Sequence, residues 1–197
     1  MTTRIDLRTY RDRYSFPRGE EILDEIGGEM RRQGYVTYEQ LRKISDWKAG
    51  RRNRRHIRRN SPQKVVKVTK HALSFEGDES MVSALCSPNL NGVRVPVASA
   101  ILTFYDPARY GVIDQHTSRS LYRNRGVFQE RFGSSWFFGR KKLVGLTVED
   151  YLEYLRIIRR MAETVSREEG IPFTPRDVDK ALWQEDKENG GPLRLDP

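Results

Sequence analysis

One cysteine, Cys86, occurs in 197 residues. A single thiol forms no internal disulfide and supplies neither a four-cysteine zinc site nor an iron–sulfur ligand set. Within "MVSALCSP" it reads as a small buried residue of an apolar helix. Histidine is nearly as scarce, at three, and His56 and His71 stand near no acids at metal-ligand spacing, so no metal or cofactor is expected. Long apolar runs are missing. The longest, such as Val95-Pro96-Val97-Ala98, fall far short of the roughly 20 residues of a membrane helix. The first residues, "MTTRIDLRTYRDRY", contain no apolar signal core, so a cytoplasmic protein is expected. Sustained strand-type alternation and internal repeats are absent as well.

Apolar residues make up 37% of the chain and charged ones 32%. That suits one domain, or two small lobes sharing a core, beneath a highly charged surface. The net charge of +9 is unevenly placed. Residues 42 to 70 carry twelve Lys and Arg against Asp46 alone, so this segment holds +11 and the remainder nets −2. A concentrated cationic segment is the electrostatic footprint of a polyanion-binding surface.

The pattern predicts many short helices and an all-α fold. Residues 1–19 read as an arm or short helix. Ile22, Ile26 and Met30 lie at steps of four before a stop at Gly34, in a helix that Gly27-Gly28 weakens. Thr37 with Gln40 makes a capping-box pattern, and Ser61-Pro62 a cap and first helical position. Val65, Val68, Ala72 and Leu73 form an apolar stripe, and Asp78 is expected to cap the next helix. Thr147 and Thr174 cap the last two helices, with Glu149, Asp150, Asp177 and Asp179 as first-turn acids. The stretch 123–146, rich in glycine and aromatics, stays unassigned, and 190–197 is expected to be a flexible tail.

"MVSALCSPNLNGVRVPVASAILTFY" reads as helix, tight turn, helix. Gly92 gives the turn its backbone freedom, and Pro96 sits where a missing N–H costs nothing. Amides at such a turn suit a phosphate oxygen. A hydrophobic helix then leads to Asp114 in "VIDQHTSRSLY". Over residues 79–122 the chain resembles the helix-hairpin-helix DNA glycosylases of base-excision repair. Leu90-Asn91-Gly92-Val93 stands for the start of their hairpin, Asp114 for their catalytic aspartate and His116 for the histidine that often follows it. The resemblance implies a single helical domain over 1–197, with two small lobes and a cleft between them. Two positions depart from the pattern. Arg94 replaces the second hairpin glycine, and its side chain could reach a phosphate instead. Pro96 stands where members with lyase activity carry a Schiff-base lysine. The resemblance therefore implies a monofunctional enzyme that uses water, unless a lysine elsewhere substitutes.

The expectation is a monomeric DNA N-glycosylase acting on double-stranded DNA that carries a damaged or modified base, and nucleoid-associated when bound to it. Asp114 is the candidate catalytic residue. The candidate DNA contacts are Leu90, Gly92, Val93, Arg94, Val95, Trp47, Lys48, Arg51, Arg52, Arg54, Arg55, Arg58, Arg59 and His116. Trp136, Phe137 and Phe138 are further stacking or wedge candidates. A helix-hairpin-helix module that binds DNA or RNA without cleaving it is the alternative. A structural helical protein whose basic run meets an acidic partner is the remoter one.

Overall fold

Local cap chemistry sets most of the boundaries in this chain, and tertiary packing sets what the helices do. A computed structural model describes residues 5–16, 20–132 and 145–190. Among the described residues there are eleven α-helices and no strand. In chain order they are α1 (Leu7–Asp12), α2 (Glu21–Gln33), α3 (Tyr38–Ala49), α4 (Arg54–Ile57) and α5 (Pro62–Leu73), then α6 (Asp78–Leu85), α7 (Val95–Tyr105) and α8 (Gln115–Arg123), and finally α9 (Arg125–Phe132), α10 (Val148–Glu169) and α11 (Pro175–Asn189). A 3₁₀ turn, Arg51–Asn53, joins α3 to α4. None of these helices is long and apolar enough to cross a membrane.

The expected caps at Thr37, Ser61, Thr147 and Thr174 each accept the amide of the third helical residue. Thr37, Thr147 and Thr174 complete reciprocal boxes with Gln40, Asp150 and Asp177. Each satisfies amides that a helix start leaves unpaired, a contribution of about 1 kcal/mol. α2 ends at Gly34 in the left-handed region, φ 74°.

α7 is buried on every side from Val97 to Phe104, and so is the centre around which α2, α3, α6 and α10 pack. The same hydrophobic core includes Leu41, Ile44, Val82, Leu85, Tyr154 and Ile158. Each such side chain contributes on the order of 1.5–3 kcal/mol by leaving water. Gly27 is what lets α2 approach: a Cβ there would lie 2.1 Å from the Phe104 carbonyl oxygen. Arg31 of α2 then donates to the Phe104 and Tyr105 carbonyls at 3.0 and 2.8 Å, closing the C-terminal end of α7. One of the two glycines that weaken α2 in isolation, Gly27, is thus what lets it pack.

Four readings change. Asp78 does not cap α6; Gly77 precedes the helix, and Asp78 accepts from Arg109 Nε, the Tyr110 hydroxyl and Arg159 Nη1 at 2.9, 2.9 and 2.6 Å. The three donors hold its carboxyl below the usual range, against the upward push of burial. Cys86 is the half-buried residue at the end of α6, not a helix-interior one, and burial pushes its thiol up to about 11. The link from α6 to α7 is nine residues, Cys86 to Arg94, and makes two successive tight turns, Cys86–Asn89 and Leu90–Val93. Asp179 is no exposed first-turn acid: it is 2% exposed and serves the segment described next. Trp136, Phe137 and Phe138 lie outside the described residues, as does the tail after Gly190.

Candidate active site and nucleic-acid surface

The stretch Gly111–Asp114 follows the turn beyond α7, lies in no helix, and cannot satisfy its own peptide groups. Four helices supply side chains instead. Tyr151 and Tyr154 of α10 donate hydroxyl hydrogens to the Gly111 and Val112 carbonyls, both at 3.0 Å. Asp179 of α11 accepts the Val112 amide at 2.6 Å, Ser99 of α7 accepts the Ile113 amide at 3.3 Å, and Thr117 of α8 accepts the Asp114 amide at 3.0 Å. Buried peptide groups must find such partners. Gly111 is required here, because a Cβ would meet Ile158 at 2.4 Å and the Asp179 carboxylate at 3.1 Å. The backbone that carries Asp114 is therefore fixed from several directions before its side chain is considered.

Asp114 caps α8. Its Oδ1 accepts the Thr117 amide at 2.9 Å. Its Oδ2 lies 3.2 Å from Lys48 Nζ, which arrives from the C-terminal end of α3. The Asp114 side chain is 24% exposed and that of Lys48 is 7% exposed, so the anion is the less covered member of the pair. Burial pushes the Asp114 carboxyl up, but Lys48, the Thr117 amide and His116 together hold it below the usual range. Burial pushes the Lys48 amine down, more than Asp114 restores. The pair thus joins an anion that stays charged to an amine that sheds its proton more readily than a surface lysine.

An ionic and aromatic layer supports this pair. Arg176 is buried and pairs with both Asp179 and Glu20. Its guanidinium lies over the rings of Tyr14, Trp47 and Phe104. Arg176 pulls on Asp179, yet burial dominates and pushes that carboxyl up to about 7. Phe16 sits between Trp47 and Trp183, with ring centroids 4.9 and 5.4 Å away. Trp183 packs on His116 at 5.3 Å.

The hairpin and the basic segment are joined by asparagines. Asn53 Nδ2 donates to the Gly92 carbonyl at 2.8 Å. Asn60 accepts the Asn91 amide and donates to the Asn91 carbonyl, both at 2.9 Å. Gly92 has φ 78°, and a Cβ there would meet His56 Cβ at 2.9 Å. Its smallness serves close packing against α4 as well as the turn. Lys48 therefore begins, at Asp114, a run of chain that ends clasped to the hairpin.

The candidate contact residues divide by exposure. Arg51, Arg52, Arg55, Arg58, Arg59 and Arg94 are exposed, and Arg94 stands at the N-terminal end of α7. Arg54 is tied to Asp46, with Nε 2.8 and Nη2 2.6 Å from its carboxylate oxygens. Leu90, Val93 and Val95 are buried, so only their backbones could meet a ligand. Trp47 is 8% exposed and belongs to the core layer. It also floors a groove of about 520 Å³ lined by Lys43, Arg51 and Arg54. His116 faces Asp186 at 2.7 Å. The structure also brings to the site Arg176, Asp179, Trp183 and Asp186, which were not among the sequence candidates. A signal was present: positions 176, 179, 183 and 186 follow the 3–4 spacing of an inward helix face, and three are charged. Comparison with models of known protein families, with curated proteins and with solved structures finds no match to this chain.

Proposed function

We propose that the protein is a DNA glycosylase of the helix-hairpin-helix type, which hydrolyses the bond between a damaged or modified base and its deoxyribose. One observation carries the reading. Asp114 stands on a clamped segment, partly open to solvent, beside the residue that starts an arginine-rich run clasped to the hairpin. Cleavage of a base–sugar bond builds positive charge on the sugar, and a fixed carboxylate stabilises it. The target base must leave the stack to be reached, at a cost of a few kcal/mol. Exposed arginines at 51, 52, 55, 58, 59 and 94 would hold the backbone while it does so. Two lobes flanking a cleft at Asp114 belong to this reading.

The test is a panel of duplexes, each with one lesion, incubated with the protein and then treated with alkali to break abasic sites. Release from at least one lesion is expected. Salt-sensitive binding with no release from any of them would favour the non-catalytic binding module instead.

Lys48 favours a second route at the same centre. Pro96 occupies the place of the lyase lysine, but Lys48 brings a buried amine to 3.2 Å from the carboxylate. Such an amine can add to the sugar carbon as the base departs with a proton, and opening of the sugar ring, whose oxygen takes the second amine proton, then gives an imine in place of a hydrolysed product. Borohydride reduces that imine to a stable crosslink. The hydrolytic route predicts no crosslink. A crosslink that Lys48→Ala abolishes would assign the amine route.

A further inference from the structure

His116 stands on the first turn of α8, two residues after Asp114. Its Nδ1 is 2.7 Å from Asp186 Oδ2 of α11. The Asp186 side chain is only 1% exposed, and its other oxygen takes Arg119 Nε at 3.3 Å and Arg123 Nη1 at 2.9 Å. A carboxylate facing two guanidiniums only accepts hydrogen bonds, so the hydrogen between it and the imidazole belongs to Nδ1. Nε2 is then the basic nitrogen of the ring. It meets no hydrogen-bond partner among the described residues, and the side chain is 21% exposed. Trp183 covers the ring at 5.3 Å. A buried carboxylate that fixes the tautomer and plane of a part-exposed imidazole is the arrangement of a general base.

We propose that His116, oriented by Asp186, is the proton acceptor of the hydrolytic step at Asp114. The inference rests on the glycosylase reading. Water oxygen bonds to the sugar carbon as the base–sugar bond breaks. The water proton passes to His116 Nε2, the bonding pair leaves on the base nitrogen, and the imidazolium returns its proton there. The products are the free base and the abasic sugar, with no outside donor or acceptor. Asp114 bears on the sugar's developing charge, and His116 on the proton. The charged groups around the imidazole are Asp114, Arg119 and Arg123 of α8, Glu185 and Asp186 of α11, and Lys48 of α3. Among the described residues α9 brings no ion-pair partner to the ring.

Single-turnover base release across pH, by wild type and His116→Gln, is the test. Glutamine can still meet Asp186 but takes up no proton. Wild-type release is expected to fall on the acid side as Nε2 protonates. The variant should lose about 10²–10⁴-fold in single-turnover rate at saturating protein and show no acid limb. Nitrogen NMR of the imidazole gives an independent reading, with the hydrogen of the neutral ring expected on Nδ1 and not on Nε2. A variant that keeps the rate and the limb, or a neutral ring whose hydrogen sits on Nε2, would overturn the proposal. Release that survives His116→Gln but not Asp114→Asn would overturn it while leaving the glycosylase reading intact. No release by the wild type from any lesion would overturn both.

Discussion

Replacing Arg176 with alanine is expected to lower the melting temperature by about 6–20 °C. The side chain is 8% exposed and pairs with Glu20 and Asp179, which are 13% and 3% exposed. Removing one member of a buried ion pair costs about 3–5 kcal/mol, because the partner stays buried and uncompensated. For a chain of this length each kcal/mol is worth about 2–4 °C. The loss should depend on pH in a fixed direction. Without the guanidinium both carboxyls lose their largest downward pull, so Asp179, already pushed up to about 7 by burial, rises further and Glu20 rises from its lowered position. The folded variant then binds more protons than the unfolded chain, and its stability rises as pH falls toward the unfolded carboxylate range. The deficit against wild type should be smaller near pH 5 than near pH 8, as read by thermal denaturation at both. Arg176→Lys should not restore stability, since an ammonium cannot pair with two carboxylates and cover three rings at once.

Asp114→Asn should cut base release by about 10²–10³-fold while leaving the fold standing. Asparagine caps a helix as well as aspartate does, so the start of α8 keeps its side-chain acceptor. What is lost is the charge, and removal of one preorganised electrostatic partner at a developing ion costs about 10²–10³-fold. The amine at Lys48 loses the anion that supports its charged form, and its burial already drives it toward neutrality. Deprotonation of Lys48, rather than unfolding, relieves the mismatch. Binding to an undamaged duplex should persist, because the exposed arginines are untouched. Gel-based release assays and salt-dependent binding, run on the same preparation, separate these two effects.

The all-α class and the helix caps were legible in the sequence because capping is a contact over three residues. Thr37, Ser61, Thr147 and Thr174 each act on an amide three positions away. Asp114 was singled out by its position after an apolar helix, and its capping of α8 is likewise local. Its charge partner was not legible as such. Lys48 is 66 residues away and was read only as part of a basic run. Asp179 and Asp78 looked like helix-start acids for the same reason: an acid near a helix N-terminus satisfies a local rule whether or not a distant arginine claims it. Asp179 is instead the acceptor for Val112, and Asp78 the anion between Arg109 and Arg159. The packing role of Gly27 is illegible for a different reason. Glycine's cost to a helix is intrinsic, whereas its benefit here depends on the carbonyl of Phe104, which only packing supplies. Residues on one face of α11 could have given warning, since Arg176, Asp179 and Asp186 place charge where an apolar stripe belongs.

The most direct measurement is the affinity for two duplexes that differ by one charge. One carries a pyrrolidine in place of the target sugar, a cation near the reacting carbon; the other carries the neutral tetrahydrofuran ring. If Asp114 faces the sugar of an everted nucleotide, wild type should prefer the cationic ring by on the order of 10²-fold, and Asp114→Asn should bind the two alike. Equal affinity in wild type, or a preference that outlasts the substitution, would contradict the placement of this carboxylate at the reacting centre.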